Sequence, residues 1–493
     1  MRKVLIFLFF VFTSYFIYSQ DQVKNISLNT ESLKKHIEYL SSKECDGRGI
    51  NTPGIDSAAN YISTYFKSYG LKSITGANNK EAFYENFYLN KFYDKDNNNA
   101  VICANNKTLK LYYDFDSGLN DHTTKTEKAE VIFCYDKNIL NNCNLNGKFV
   151  AILNNKDRIK QEAIIEQIKN KGAQGIIKIW TEDKKSSPEH IALKKEVKYD
   201  FNSWSYFLDL NKTEFFTFNM PKSSAATLFN TNLNSFNRII NLYKKGKKNK
   251  LSGKSYSFTY NLPKKTDTIN VKNIIGIIPG SDLKDEIIVI SAHYDHLGKS
   301  NFVYFPGADD NASGVSVLLE LARIFGDLQK KNITPRRTIA FIAFTAEEQN
   351  LLGSKFLLEK DSIININRII ANINVDMVGR GSAHHIKSPN QLYILGEDFN
   401  TKLLELPDSI NNIYSYLYLD YKYTKDDPKE YFEKSDQFSF INKNIPSIFF
   451  FGGTHKDLHT PHDTYDKINF SRLKKVSLLI FHTLWTTANI DNL

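Results

Sequence analysis

The sequence predicts an α/β protein: a central, mostly parallel sheet sandwiched by helices, with a small β-rich module inserted into its first part. Two patterns predict this. From Asn273 onward, short apolar runs rich in β-branched residues alternate with stretches at helical spacing. That is the texture of strands buried on both faces and of the helices that cover them. Between Lys91 and Lys264 the texture differs, with brief strand-like runs broken by polar loops. The 493-residue length also exceeds the size at which one core stops growing, so two compact units are expected.

The elements follow in chain order. Arg2 and Lys3 precede the apolar run Val4 to Tyr18, and Ser19-Gln20 opens a polar stretch. Such a core is short for a bilayer span and suits a secretory signal. Residues 1–19 are therefore expected to be a signal peptide, and no Cys stands near the cleavage point to carry a lipid. The mature chain is expected to be secreted or periplasmic, with no stable membrane anchor. Glu31 to Leu40 and Ser57 to Tyr69 read as helices, the second from Ala58, Tyr61, Ile62, Tyr65 and Phe66 at helical spacing. Thr52-Pro53 suits its start. Residues 94–99 (DKDNNN) form a polar loop. Ala129 to Tyr135 and Lys148 to Leu153 read as strands, Ile164 to Lys171 as a helix, and Gly175 to Trp180 as the strand after it. Lys244 to Lys264 is basic and weakly patterned, and is expected to be the return linker. Strands follow at Ile274 to Ile278, Glu286 to Ser291, Thr338 to Phe344, Ile369 to Val375 and Pro446 to Phe451. Val315, Leu318, Leu319, Ala322 and Phe325 mark one helix face, and Arg472 to Trp485 a closing helix.

The net charge of +10 is spread along the chain, and its densest run, KKGKKNK at 244–250, lacks aromatic interleaving. It reads as a solvated loop, which excludes nucleic acid as a partner. Cys45, Cys103, Cys134 and Cys143 permit two disulfides in an exported chain, and equally suit buried thiols.

Five residues carry metal-ligand chemistry in order: His293, Asp310, Glu348, Asp376 and His459, with Glu347 directly before the third. Each is expected where an apolar run ends in a polar stretch, the address of active sites at strand ends. Imidazoles and carboxylates in this mix hold divalent cations, with one carboxylate left to handle protons. In His293-Tyr294-Asp295, alternation places Asp295 on the side of His293, where it can accept from the imidazole. Alone, H-x-D occurs often by chance. Asp310 lies in a tight turn entering a helix, and its neighbour Asp309 reads as a cap or turn residue. Glu347-Glu348 is a like-charged pair that either holds a cation or is simply solvated. Asp376 ends an apolar strand, where an unpaired acid is costly. His296 reads as supporting or exposed, His384 and His385 as exposed, and His455 and His462 compete with His459.

Together these motifs resemble the M28 family of zinc metallopeptidases, the aminopeptidase-like group with a co-catalytic zinc pair. The resemblance covers residues 28–90 and 265–493, including the Asp46-Gly47-Arg48-Gly49 turn. It implies a peptidase domain in two parts, 20–90 and 265–493. The interruption at 91–264 resembles a protease-associated domain, on Lys148 to Leu153 and Gly172 to Trp180. Carried over to this chain, the family pattern makes His293 and Asp376 ligands of one zinc and Glu348 and His459 ligands of the other. Asp310 bridges both, Glu347 is the catalytic base and acid, and Asp295 orients His293. The implied activity is removal of N-terminal residues from peptide or protein substrates with two zinc ions per chain. A glutaminyl cyclase working with one zinc shares the scaffold, as do non-catalytic ectodomains that have lost ligands. Two positions depart from the family pattern: Leu458 stands where some members have Tyr, and Gln437 where many have His.

Overall fold

The computed structural model describes residues 23–76, 79–93, 101–110, 114–117, 126–134, 143–154, 158–180, 204–207, 215–247, 249–251, 254–262, 265–300, 303–359, 363–383, 390–396, 401–424, 426–427, 431–491 and 493. The Val4 to Tyr18 run, the 94–99 loop, His384 and His385 lie outside them. Packing divides the chain into two compact units, Met1–Tyr88 with Asn270–Leu493, and Leu89–Ile269. Among the described residues no helix is long and apolar enough to cross a membrane.

In the first unit, α1 (Thr30–Leu40) begins at Asn29, whose side chain accepts from the N–H groups of Glu31 and Ser32. This satisfies donors that a helix start leaves open. α2 (Pro53–Ser68) opens on the expected Thr52-Pro53 pair. It starts ahead of Ser57 because proline's fixed φ suits the first turn.

The sheet that positions the site includes β1 (Lys72–Ser73), β2 (Lys265–Ile278), β3 (Leu283–His293), β4 (Arg337–Phe344), β5 (Ile369–Asp376), β6 (Gln391–Gly396), β7 (Tyr418–Asp420) and β8 (Ser447–Phe451). Their order is β7-β6-β8-β5-β3-β4-β2, with β1 also on β2. The central four, β4-β3-β5-β8, are parallel. β2 and β6 join them antiparallel, and β7 runs parallel to β6. Every residue of β4 and β8 is buried, which is why these strands are continuously apolar. α3 (Gly314–Lys330) and α7 (Phe470–Asn489) cover one face, where Phe325 packs on Phe341, Phe481 and Trp485. On the other face Val289, Ala340, Ile342 and Phe344 pack with Leu357 of α4 (Leu352–Glu359) and Phe440. The mostly parallel, helix-covered sheet expected from the sequence is thus present.

Among its described residues the second unit holds an eight-stranded sheet and three helices, Arg158–Asn170, Lys222–Leu228 and Leu233–Lys244. One expectation fails here. The stretch from Lys244 to Lys264 is not a linker, because Ser255–Asn261 is an internal strand pairing with both Val101–Ala104 and Glu127–Phe133. Its SYSFTYN sequence alternates, with Phe258 and Tyr260 buried, and the flanking lysines mask that period of two. All four cysteines are free thiols. Cys134 is buried in a small apolar cluster on which Cys143 packs.

A buried histidine gives this fold an acid limit. His482 on α7 stacks on Tyr414 of α5 (Thr401–Tyr414), centroids 3.6 Å apart, and neither of its ring nitrogens has a hydrogen-bond partner. Burial pushes its pKa down to about 4. Below the ordinary value near 6.5 the unfolded chain therefore takes up a proton that the folded chain refuses. This contribution is present in full above pH 6.5 and drains as pH falls toward 4, by up to about 1.4 kcal/mol per pH unit. His482→Phe, which keeps the stack, is expected to flatten that limb in unfolding midpoints measured from pH 7 to 4. Equal slopes for the two proteins would disprove the assignment.

Candidate metal centre

The sheet register assembles the first part of the site. Ser291 pairs with Asn374 across β3 and β5. Two residues further on, each strand ends, in His293 and Asp376. Glu347 and Glu348 follow β4 in a turn that Ala346 enters with φ +55°. The backbone N–H groups of Glu347 and Glu348 donate to the two carboxylate oxygens of Asp295, at 3.1 and 3.3 Å.

The other two candidates do not come from strand ends. Asp310 lies in the turn Ala308–Ser313 before α3, and His459 in the long connection between β8 and α7, at φ +56°. Side-chain clamps replace a strand there. The N–H groups of Asp309 and Asp310 donate to Asp463 Oδ2 at 3.0 and 3.1 Å. Asn311 Nδ2 donates to the Val375 carbonyl at 3.0 Å, while its Oδ1 accepts from the N–H of Met377 at 3.2 Å. Asp310 is thereby tied to the strand that ends in Asp376.

The result is two clusters sharing one carboxylate. His293 Nε2 lies 3.4 Å from Asp310 Oδ1 and 3.3 Å from Asp376 Oδ1. His459 Nε2 lies 3.0 Å from Asp310 Oδ2 and 3.3 Å from Glu348 Oε2. Tetrahedral zinc with bonds of 2.0–2.1 Å separates its ligand atoms by about 3.3–3.4 Å. The donor set and three of these four spacings fit a zinc pair bridged by Asp310, and the fourth is slightly tighter. Asp376 Oδ1 is buried without a hydrogen-bond partner, as expected of an atom whose partner is a cation.

Electrostatics point the same way. Burial and the carboxylates of Glu348 and Asp376 push the Glu347 pKa well up. Glu348 acting on His459 drives that imidazole up to about 12. Burial alone pushes the Glu348 carboxyl up, but the His459 charge overrides it and holds it at about 2. The imidazoles thus carry protons in the place that a cation would fill, and metal binding displaces such protons.

Several expectations need correction. Asp295 does not serve His293 chiefly through its carboxylate. The His293 Nδ1 lies 3.2 Å from the Asp295 backbone carbonyl and 3.7 Å from its side chain, because the carboxylate is committed to the Glu347-Glu348 turn. His296 is buried and supports the site, its Nδ1 2.8 Å from Glu348 Oε1. With Asp310 and Glu348 it forms an alternative donor group, yet 2.8 Å is a hydrogen-bond length, shorter than a ligand spacing. His455 pairs with Asp309 instead, at 3.1 Å, and His462 is exposed. Asp309 caps no helix; its Oδ1 accepts from the N–H groups of Gly379 and Arg380. Gln437, where the family pattern has His, is buried between Asn374 Nδ2 and the Phe432 carbonyl. Tyr423 and Phe432 pack with Met377, Tyr393, Phe449 and Phe451, and Tyr431 and Leu458 lean on that cluster.

Sequence reasoning also missed supporting residues. Asn311 gave no signal of its own. Ser435, whose hydroxyl donates to Asp376 Oδ2 at 2.9 Å, and Asp463 were visible only as motif neighbours.

Comparison with known proteins agrees with this geometry. Residues 273–484 match the model of Peptidase family M28. That match covers less than half of the chain. Over 118 residues the chain is 40% identical to a probable zinc metalloprotease of Pyrenophora tritici-repentis, covering 23% of this chain and 26% of the relative. A stretch of 109 residues is 42% identical to the aminopeptidase YwaD of Bacillus subtilis, covering 22% of each chain. These matches span about a quarter of each relative's length. The fold extends further than the sequence likeness. An aminopeptidase from Aneurinibacillus sp. strain AM-1 superposes with a TM-score of 0.55 at 20% identity, over 96% of both chains. All five ligand candidates and Glu347 fall within the matched residues.

Proposed function

We propose that the chain is an exported zinc-dependent aminopeptidase that hydrolyses N-terminal peptide bonds with two metal ions. The carrying observation is the division of Asp310, one oxygen toward His293 and the other toward His459. On this reading His293 and Asp376 hold one zinc, His459 and Glu348 the second, and Asp310 both. When bound, such a pair polarises the scissile carbonyl and lowers the pKa of water. Glu347, buried beside the ligands with a raised pKa, takes the proton of the attacking water and gives it to the leaving amine. Asp295 holds Glu347 and Glu348 through their backbones, leaving both acid side chains free for separate roles. His296 and Ser435 fix the orientation of Glu348 and Asp376.

Two further parts of the reading rest on the sequence. Residues 1–19 act as a signal peptide, supported by the Val4 to Tyr18 run, and amino-terminal sequencing of the exported protein tests this. The second unit is a protease-associated module, supported by its strand–helix–strand passage from Phe149 to Trp180.

Purified protein supplied with zinc is expected to release free amino acids from a panel of aminoacyl chromogenic amides, and chelator to abolish the release. Absence of release, with pyroglutamate formed from N-terminal Gln peptides, would assign the scaffold to cyclisation instead.

A further inference from the structure

Arg48 is a large cation buried in the molecule with no exposure, and the metal-centre chemistry above leaves it unused. It ends the turn Asp46–Arg48, in which all three residues take positive φ. Gly47 is required there: a Cβ on it would lie 2.1 Å from the Gly298 carbonyl oxygen. The turn is therefore pressed against the segment that follows His293, and its backbone bonds to it. The N–H of His296 donates to the Arg48 carbonyl at 3.1 Å, and that of Gly298 to the Gly47 carbonyl at 2.9 Å.

The guanidinium completes the clasp. Nε donates to the Tyr294 carbonyl at 2.8 Å, beside His293. Nη1 donates to the carbonyls of Leu40 and Pro306. Nη2 donates to the carbonyls of Gly307 and Asp310, at 2.9 and 3.2 Å. Five N–H groups thus meet five carbonyl oxygens, the full donor capacity of the side chain. No carboxylate is among these partners. Burying a cation without a contact counter-ion is expensive, and burial lowers the Arg48 pKa. Compensation comes from a distance, from Asp310, Asp463 and Asp295. All three acids belong to the metal centre or its support. A planar fork that joins the His293 and Asp310 segments, and stands in the field of the centre's acids, does more than fill space.

We propose that Arg48 is a positioning residue for the metal centre. Its fork sets the spacing between the segments that carry His293 and Asp310, and its charge offsets the acids gathered there. The fixed spacing raises zinc affinity, against the repulsion that a nearby like charge exerts on a bound cation. The proposal rests on the zinc reading above, and its test separates the two. Zinc affinity is measured by chelator competition on the full chain for the wild type, Arg48→Lys and Arg48→Met. Unfolding midpoints are recorded for the same proteins without metal. The wild type is expected to bind zinc. Arg48→Met is expected to bind at least tenfold more weakly, the scale on which residues supporting metal ligands act. Arg48→Lys, which keeps at most three of the five donors and loses the planar fork, should fall between them. If Arg48→Met does not fold, Arg48→Lys alone decides, weakened binding supporting the proposal. Folded variants that bind zinc as tightly as the wild type overturn it, including any with a lowered midpoint, since Arg48 then serves the fold alone. A wild-type protein that binds no zinc sinks the metal-centre reading itself.

Discussion

Glu347→Gln is expected to lower kcat/KM by roughly 10²–10⁴-fold, the range in which a positioned proton carrier contributes, while both zinc ions stay bound. The substitution is nearly isosteric. The Glu347 N–H that donates to Asp295 Oδ1 belongs to the backbone, so the turn and the neighbouring Glu348 keep their places. What disappears is the capacity to accept a proton, because an amide oxygen is far too weak a base for the task. Glu347 Oε2 stands 3.8 Å from His293 Nε2, further than the 3.3 Å separating that nitrogen from Asp376 Oδ1. It lies within reach of a cation held by His293 and Asp376, at a looser spacing than theirs. Rate measurements on an aminoacyl amide, paired with metal analysis of the same sample, check the claim. Full activity with full metal would remove Glu347 from the chemistry. Loss of activity together with loss of zinc would make it a ligand.

Asp310→Ala is expected to have the larger effect on metal. Its carboxylate supplies one oxygen to each cluster, so its removal takes a ligand from both at once. Zinc content should fall from two ions per chain toward one or none, and affinity by more than the 10–100-fold typical of supporting residues. Activity should fall with it. The Asp310 backbone N–H still donates to Asp463, so the turn is expected to persist and circular dichroism to be unchanged. Asp376→Ala is the control, because it removes a ligand from one cluster only. If both variants lost the same amount of zinc, Asp310 would not be the bridge.

The central sheet was legible because burial on both faces forces an apolar run, and such a run needs no knowledge of its partners. The ligands were legible for a related reason. His293, Glu347, Glu348 and Asp376 stand at or just past the ends of apolar strands, whereas Asp310 and His459 lie in turns and were visible only through their motifs. What stayed hidden depends on contacts between distant segments. β6 and β7 lack the long apolar signature of the central strands, and they lie at one edge of the sheet. Ser255–Asn261 was obscured because surface lysines surround a strand that only two cross-strand partners define. Alternation correctly brought Asp295 to the site but could not foresee that two backbone N–H groups from another strand's turn would claim its carboxylate. For His296 the sequence left supporting and exposed both open, and the structure makes it supporting. The chain leaves extended geometry after His293, so parity no longer says which way a side chain points.

The Arg48 clasp also bears on how the protein is made. The carbonyl of Tyr294 that its Nε holds lies 246 residues further along the chain, with the whole second unit synthesised in between. At about 5–20 residues per second of translation, the turn around Gly47 waits roughly 10–50 s for its partners to emerge. During that interval α1 and α2 exist without the sheet they cover, and their apolar faces are open to chaperones or to misplaced neighbours. A nascent chain stalled before residue 294 should therefore be protease-sensitive around Arg48, and one stalled after Asn489 clears the ribosome should be protected there.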